Sequence, residues 1–329
     1  HFGTTWMLVS ESGDAFVMDI GSSGIFQQLK KRLADGEIKS VEGLWVTHYH
    51  FDHTAGIPDF QQEFDVPCYA NEQLAEVLTH PTAWRLPCLD PRPITVHKPM
   101  RDGQSWQWRE FKLTAFFLPG QTLYHGGLLV EAGNLRMFFV GDSHTMAGID
   151  DYCAYNRNFL GRNAGYQYCN ALIEKLQPTH IFNCHVDDAF TFTAEELDFM
   201  RKTLDQREEL YGQLVPWEHA NFGLDPSWIR TFPYTQTLQP GADVAINIVV
   251  TNHAATACPV RCRAAIPTAL GGIVREWQHA EIAAQSEGAL RLCWTLPATA
   301  TPGRYVVPID IIFADRTLPQ FAEAIVDVG

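Results

Sequence analysis

The sequence predicts an α+β fold: a sandwich of two sheets with helices outside it over residues 1–215, followed by an all-β domain over residues 216–329. Three observations predict it. Strand-like and helix-like runs alternate up to about residue 215, helical periodicity is essentially lost from Trp217 onward, and a dense run of potential metal ligands lies directly behind a β-like stretch, where a sheet can hold it. A chain of 329 residues, 46% hydrophobic and 19% charged, has room for two domains with sizeable cores.

In chain order, apolar runs at residues 5–10, 14–20, 44–47, 66–69, 111–118, 127–132, 135–140 and 180–184 read as strands. Segments 24–34, 55–64, 71–79, 163–177 and 193–214 read as helices. The last carries the best signal: Thr193-Ala194-Glu195-Glu196 has the form of a capping box, and Leu197, Met200, Leu204, Leu210 and Leu214 recur at helical spacing as a core face. The Pro- and Trp-containing stretch from Pro81 to Trp108 reads as a loop inserted near the mouth of a site, with Trp84, Trp106 and Trp108 offering an aromatic wall or ordinary core. Beyond it, Pro216-Trp217-Glu218-His219, Asp225-Pro226-Ser227 and Gln239-Pro240-Gly241 are turn signals. Alternating runs such as residues 243–250 and 304–313 follow, the pattern of an immunoglobulin-like or fibronectin-like sandwich. It holds no chemical constellation, so structural support is the first use expected of it, with binding or homo-oligomer contacts the others.

The chemistry is concentrated in His48-Tyr49-His50-Phe51-Asp52-His53, four potential ligands in six positions behind Leu44-Trp45-Val46-Thr47. Residues two apart in an extended segment point the same way, so His48 and His50 can face one cation while Asp52 and His53 turn toward a neighbouring point. Imidazole and carboxylate suit zinc and similar first-row ions, and the lack of nearby cysteine argues against a closed structural site. A single histidine carries little weight by itself, whereas a cluster of this density does.

Together with the residues around it, this run resembles the signature of the metallo-β-lactamase superfamily. Residues 5–10 and Asp14-Ala15-Phe16-Val17-Met18-Asp19-Ile20-Gly21 are similar to the opening hairpin ending in Asp-x-Gly, Phe138-Phe139-Val140-Gly141-Asp142 to the strand ending in Gly-Asp, and Thr179 to His185 to the late strand that ends in a histidine. The resemblance covers residues 1 to about 200 and implies an αββα sandwich. It also implies two divalent metal ions, zinc first with iron or manganese as alternatives. Asp142 would bridge them, and Asp52, His53 and His185 would hold the second. His48 and His50 would hold the first. Where relatives carry Pro-Gly-His-Thr, this chain reads Pro119-Gly120-Gln121-Thr122, so the usual third ligand is replaced by a glutamine. His125, four residues on, is expected to supply the missing ligand; the competing reading places it beside the site.

The implied function is a binuclear metallohydrolase in which a metal-bridging hydroxide attacks a small ester, lactone, thioester, lactam or similar bond, with Asp52 and Asp142 as the catalytic carboxylates. Tyr124, Tyr152 and Tyr166 are candidate oxyanion donors, and His144 and Trp84 are further substrate-facing candidates. An iron-dependent redox enzyme on the same fold, or a scaffold with a weakened site, are the alternatives.

Lys plus Arg total 24 against 38 Asp plus Glu, a net charge of −14, which disfavours nucleic acid and anionic membranes as partners and favours a small-molecule substrate. No apolar run reaches the length of a membrane helix. The eight cysteines form no Cys-x-x-Cys pair, and free thiols are expected. Cys262 with Cys293, or Cys68 with Cys88, would pair only in an exported protein. A cytoplasmic location is expected, with export the alternative because the chain starts at His1, almost inside its first strand.

Overall fold

The computed structural model describes residues 4–84, 86–150, 165–214, 221 and 228–329. They fall into two compact units divided between Arg207 and Glu208, ahead of the boundary expected after residue 215. Residues 215–220, the turn signals at 216–219 and 225–227, and Tyr152 lie outside the described residues.

Two five-stranded sheets build the first unit. The first sheet runs β1 (Trp6–Val9), β2 (Asp14–Met18), β3 (Ser40–Val46), β4 (Cys68–Asn71) and β5 (Lys98–Met100) in that order, antiparallel between β1 and β2 and parallel thereafter. The second has the order β12 (His180–Phe182), β9 (Leu135–Phe139), β8 (Gly126–Ala132), β7 (Phe111–Phe117), β6 (Ser105–Trp108), with only the β9–β12 pair parallel. Period-2 alternation decides which side each residue serves. Phe16, Met18, Trp45, Leu113, Leu128, Val130 and Phe139 meet between the sheets, whereas Leu129, Phe138 and Ile181 face outward. There they pack against Cys169, Leu172, Ile173 and Leu176 of α5 (Tyr166–Leu176) and Leu197 and Met200 of α6 (Ala194–Leu214). The helices α1 (Ser23–Ala34), α2 (Phe51–Thr54), α3 (Ile57–Glu63) and α4 (Glu72–Thr79) follow strands of the first sheet, and Phe26 of α1 meets Phe60 of α3 edge to face. A short hairpin, β10 (His144–Thr145) with β11 (Gly148–Ile149), completes this unit.

The expected capping box forms: the Thr193 N–H donates to Glu196 Oε2 at 2.8 Å, and the Glu196 N–H donates to Thr193 Oγ1 at 3.2 Å. Leu210 departs from the core face assigned to it and is 55% exposed. The segment from Pro81 to Trp108 is not wholly an inserted loop. Its second half supplies the edge strands β5 and β6, and Trp106 stacks on Tyr69 at 5.1 Å while Trp108 packs on Phe16 at 5.4 Å, so both tryptophans belong to the core between the sheets.

The second unit is all-β after α6. A three-stranded sheet, β13 (Ile229–Phe232), β15 (Asp243–Asn252) and β18 (Ser286–Thr295), is accompanied by a five-stranded one. The latter has the order β14 (Thr235–Leu238), β20 (Arg316–Val328), β19 (Gly303–Phe313), β16 (Cys258–Ala264), β17 (Gln278–Ile282). Alternate residues such as Val244, Ile246, Ile248, Leu290, Leu292, Val307, Ile309, Ile311 and Phe313 are buried in one cluster drawn from both sheets. All described cysteines are free; Cys262 is buried in that core and Cys293 is exposed. No described helix is long and apolar enough to cross a membrane.

Candidate metal centre

Four strand ends converge on one point. Asp19 and Gly21 follow β2, residues 47–53 follow β3, Gly141 and Asp142 follow β9, and Cys184 and His185 follow β12. The backbone binds these ends together: the Asp19 N–H donates to the Trp45 carbonyl at 2.9 Å, the Ile20 N–H to the His53 carbonyl at 3.0 Å, and the Cys184 N–H to the Gly141 carbonyl at 3.0 Å. The turn between β7 and β8 is tied in by the Gly126 N–H, which donates to the Thr47 carbonyl at 2.7 Å. Two glycines permit the close approach. A Cβ at Gly21 would stand 1.5 Å from the Asp52 carbonyl oxygen, and one at Gly141 (φ +54°) would stand 2.8 Å from His125 Nε2 and from Thr47 Oγ1.

At the centre, Asp142 Oδ2 accepts from His53 Nε2 at 3.1 Å, from His185 Nε2 at 3.0 Å and from the Gln121 amide at 3.1 Å, with His48 Nε2 3.7 Å away. Its other oxygen, Oδ1, is buried and has no hydrogen-bond partner among the described residues, and the same holds for His48 Nε2. Ligand atoms of Asp52, His53, Asp142 and His185 lie within 4.8 Å of one another, as do those of His48, His50 and Asp142. Two groups of nitrogen and carboxylate donors thus share Asp142, and the buried, unpartnered atoms in them are what a bound cation would satisfy. The residues present fit a pair of first-row metal ions.

The electrostatics divide the imidazoles into two kinds. Burial and the neighbouring His53 and His50 hold His48 well below the ordinary histidine range, and burial lowers His50 to about 4, so both are neutral. For His53, burial opposes the cation, but the charge of Asp142 and the hydrogen bonds that His53 donates to Asp142 and Asp19 overcome it and raise the group well above its usual range. Hydrogen bonds to Asp142 and Asp52 raise His185 to about 9. Asp142 itself stays well below the carboxylate range: burial pushes it up, but His53 and His185 more than offset that.

His125 lies beside these groups. Its ring stacks on His48 at 4.8 Å with 14° between the planes, it forms a backbone bridge with His48, and neither ring nitrogen has a hydrogen-bond partner among the described residues. The ligand atoms that cluster within 4.8 Å do not include its nitrogens, and burial lowers it to about 3. The contact with Asp142 on this side is made instead by Gln121.

The remaining candidates are more dispersed. His144 is fully buried, with Nε2 against Asn170 Oδ1 at 2.9 Å, and burial lowers it to about 4. The Tyr166 hydroxyl donates to the Asp150 carbonyl. Tyr124 is buried and meets Trp84 edge to face at 5.1 Å, and Tyr49 lies between Tyr124, at 6.3 Å, and His50, at 5.0 Å. Phe51, on α2 within the candidate ligand run, is 50% exposed.

Asp19 has a larger part here than its place in an Asp-x-Gly turn suggests. Its Oδ1 accepts the Thr47 N–H at 2.8 Å, and its Oδ2 accepts from the Thr47 hydroxyl at 2.7 Å, His53 Nδ1 at 3.0 Å and Cys184 Sγ at 3.4 Å. Holding the proton on His53 Nδ1 leaves Nε2 to face Asp142 and a cation.

Comparison with known proteins agrees with this architecture. Residues 1–152 match the family described as the metallo-beta-lactamase superfamily. A mutant metallo-beta-lactamase from Cronobacter sakazakii superposes with a TM-score of 0.51 at 16% identity, over 65% of this chain and 94% of that one. Its fold is shared by the first unit here. A hydroxyacylglutathione hydrolase from Hahella chejuensis is 25% identical over 206 residues, 62% of this chain and 68% of the relative. An atrochrysone carboxyl ACP thioesterase from Aspergillus fumigatus is 26% identical over 184 residues, 53% of each chain. Over residues 1–152 this chain is similar to the metallo-beta-lactamase superfamily.

Proposed function

We propose that the chain is a metal-dependent hydrolase that works with two adjacent cations, one held by Asp52, His53 and His185 and the other by His48 and His50, with Asp142 common to both. The observation that carries this reading is Asp142 Oδ2, a single buried carboxylate oxygen within 3.7 Å of ligand nitrogens from both groups. When bound, a pair of divalent ions, zinc first for this donor set, would lower the pKa of water toward neutrality and polarise the bond to be cleaved. The chain's own residues do the rest. Asp19 fixes the His53 tautomer, the neutral buried His48 and His50 present lone pairs without having to lose protons, and Asp52, half-buried at the opening, can take up a proton beside His185.

Suitable substrates are small carbonyl compounds with a good leaving group: thioesters, esters, lactones or lactams. Thioesters stand first because matched relatives bear the names hydroxyacylglutathione hydrolase and carboxyl ACP thioesterase. The test is metal analysis of protein purified without added metal, together with hydrolysis of a thioester, ester, lactone and lactam panel. Two equivalents of zinc with thioester cleavage support the reading, whereas iron with oxygen consumption, or less than one metal with no hydrolysis, overturns it.

The second unit is read as an immunoglobulin-like sandwich that serves as a separate structural domain. Its core draws on its own two sheets, so residues 208–329 expressed alone are expected to unfold in one cooperative transition; failure to do so would argue against a separate domain.

A further inference from the structure

We propose that the two cation positions are unequal: the Asp52, His53, Asp142, His185 group fills first and tightly, and the His48, His50, Asp142 group fills second and weakly, because Gln121 stands where it needs a third strong ligand. The inference rests on the metallohydrolase reading above and concerns this chain's own departure at position 121.

The geometry supports it in three ways. The first group offers four ligand residues and the second offers three, one of which, Asp142, is already engaged by the first. Gln121 is buried and turns its amide nitrogen, a donor and not a ligand, toward Asp142 Oδ2 at 3.1 Å. His125 does not make up the deficit. Its ring lies flat on His48, held by the His48–His125 backbone bridge and by the Gly126 N–H on the Thr47 carbonyl, and Gly141 closes against its Nε2. To reach the second group, the His125 ring would have to unstack from His48.

Loss of a supporting partner outside the ligand set typically weakens metal binding by roughly 10- to 100-fold, and loss of a ligand by more. The second equivalent is therefore expected to bind at least about 100-fold more weakly than the first.

The experiment strips the protein with a chelator and titrates it with zinc against a chromophoric competitor, and with cobalt followed by its visible absorption, in wild type, Gln121→His, His185→Ala and His48→Ala. Wild type is expected to show one tight and one weak equivalent, Gln121→His two tight equivalents, His185→Ala loss of the tight one, and His48→Ala retention of it. Two equally tight equivalents in wild type, or a tight equivalent lost in His48→Ala and kept in His185→Ala, overturns the inference while leaving a metalloenzyme. Absence of binding in wild type removes both the inference and the reading beneath it. The wild-type isotherm needs no variant to fold, and Gln121→Glu serves as a second route to a stronger ligand should Gln121→His be unstable.

Discussion

Asp19→Asn removes one charge and exchanges one oxygen for an NH₂ group, with little disturbance elsewhere. Asp19 has φ +57°, a conformation that Asn also tolerates. If the amide oxygen keeps the Thr47 N–H at 2.8 Å, the new NH₂ faces His53 Nδ1 at 3.0 Å and the Thr47 hydroxyl at 2.7 Å. The hydroxyl can donate to His48 Nδ1, 3.1 Å away, only if His48 moves its own proton to Nε2, and His53 Nδ1 must likewise become an acceptor. Its proton then sits on Nε2, the atom aimed at Asp142, and Nε2–H cannot ligate a cation. The opposite amide orientation rescues His53 and instead sets NH₂ against the Thr47 N–H, at a cost of about 1–3 kcal/mol for a buried unpaired donor. Loss of the outer partner of a ligating histidine weakens metal binding by roughly 10- to 100-fold, about 1.4–2.7 kcal/mol. A tautomer fixed the wrong way places Asp19→Asn at the upper end of that range. Zinc competition and thermal melts on stripped and loaded protein measure both effects: the loaded protein should lose more Tm than the stripped one. A zinc Kd within about threefold of wild type would refute the tautomer argument.

Gly141→Ala places a methyl 2.8 Å from both His125 Nε2 and Thr47 Oγ1 at φ +54°. It should cost at least about 1–2 kcal/mol from the backbone alone and should lower metal occupancy, read by melts and metal analysis. Phe138→Ala, fully buried on the helix-covered face of the second sheet, should cost about 3–5 kcal/mol in urea unfolding without changing metal stoichiometry in the folded fraction. The stripped protein should lose stability at alkaline pH. The His185 pKa is raised in the fold to about 9, so its ion pair with Asp142 and Asp52 is fully present below the unfolded value near about 6.5 and is lost as pH rises through about 9. Melts of stripped protein across that window check the sign. For the same reason zinc uptake at neutral pH should release protons from His53 and His185, which calorimetry in buffers of different ionisation heat would register.

Local pattern made much of this molecule readable, and long-range pairing accounts for what it left unread. Strands such as β2, β3 and β9 and the Thr193–Glu196 cap are decided by residues within a few positions of one another, so period and composition suffice to find them. Trp106 and Trp108 were legible too: two large apolar residues two apart, with exposed Ser105 before them and exposed Gln107 between them, form the period-2 pattern of a half-buried strand, and the prolines upstream obscured it. Leu210 shows the opposite failure. Six residues at about 100° each place it roughly 120° round the helix from Leu204, off the stripe that buries Leu197, Met200 and Leu204.

At the candidate metal centre the same division decides which residues could be found. Candidate ligand types were legible because imidazole and carboxylate crowd into six positions. The company each ligand keeps depends on contacts between segments far apart in the chain: Asp19 against His53 across 34 residues, Gln121 against Asp142 across 21 and His185 against Asp142 across 43. His125 is the instructive case. Spacing brings it within four residues of the vacant ligand position, and on that basis it fills the gap. The bridge to His48, however, fixes a backbone register, and register fixes side-chain direction, so the ring is laid on His48 with its nitrogens outside both ligand groups. Proximity in sequence limits which groups can meet, whereas strand register decides which atoms do. For this chain register, more than composition, should therefore determine how many cations the centre holds tightly.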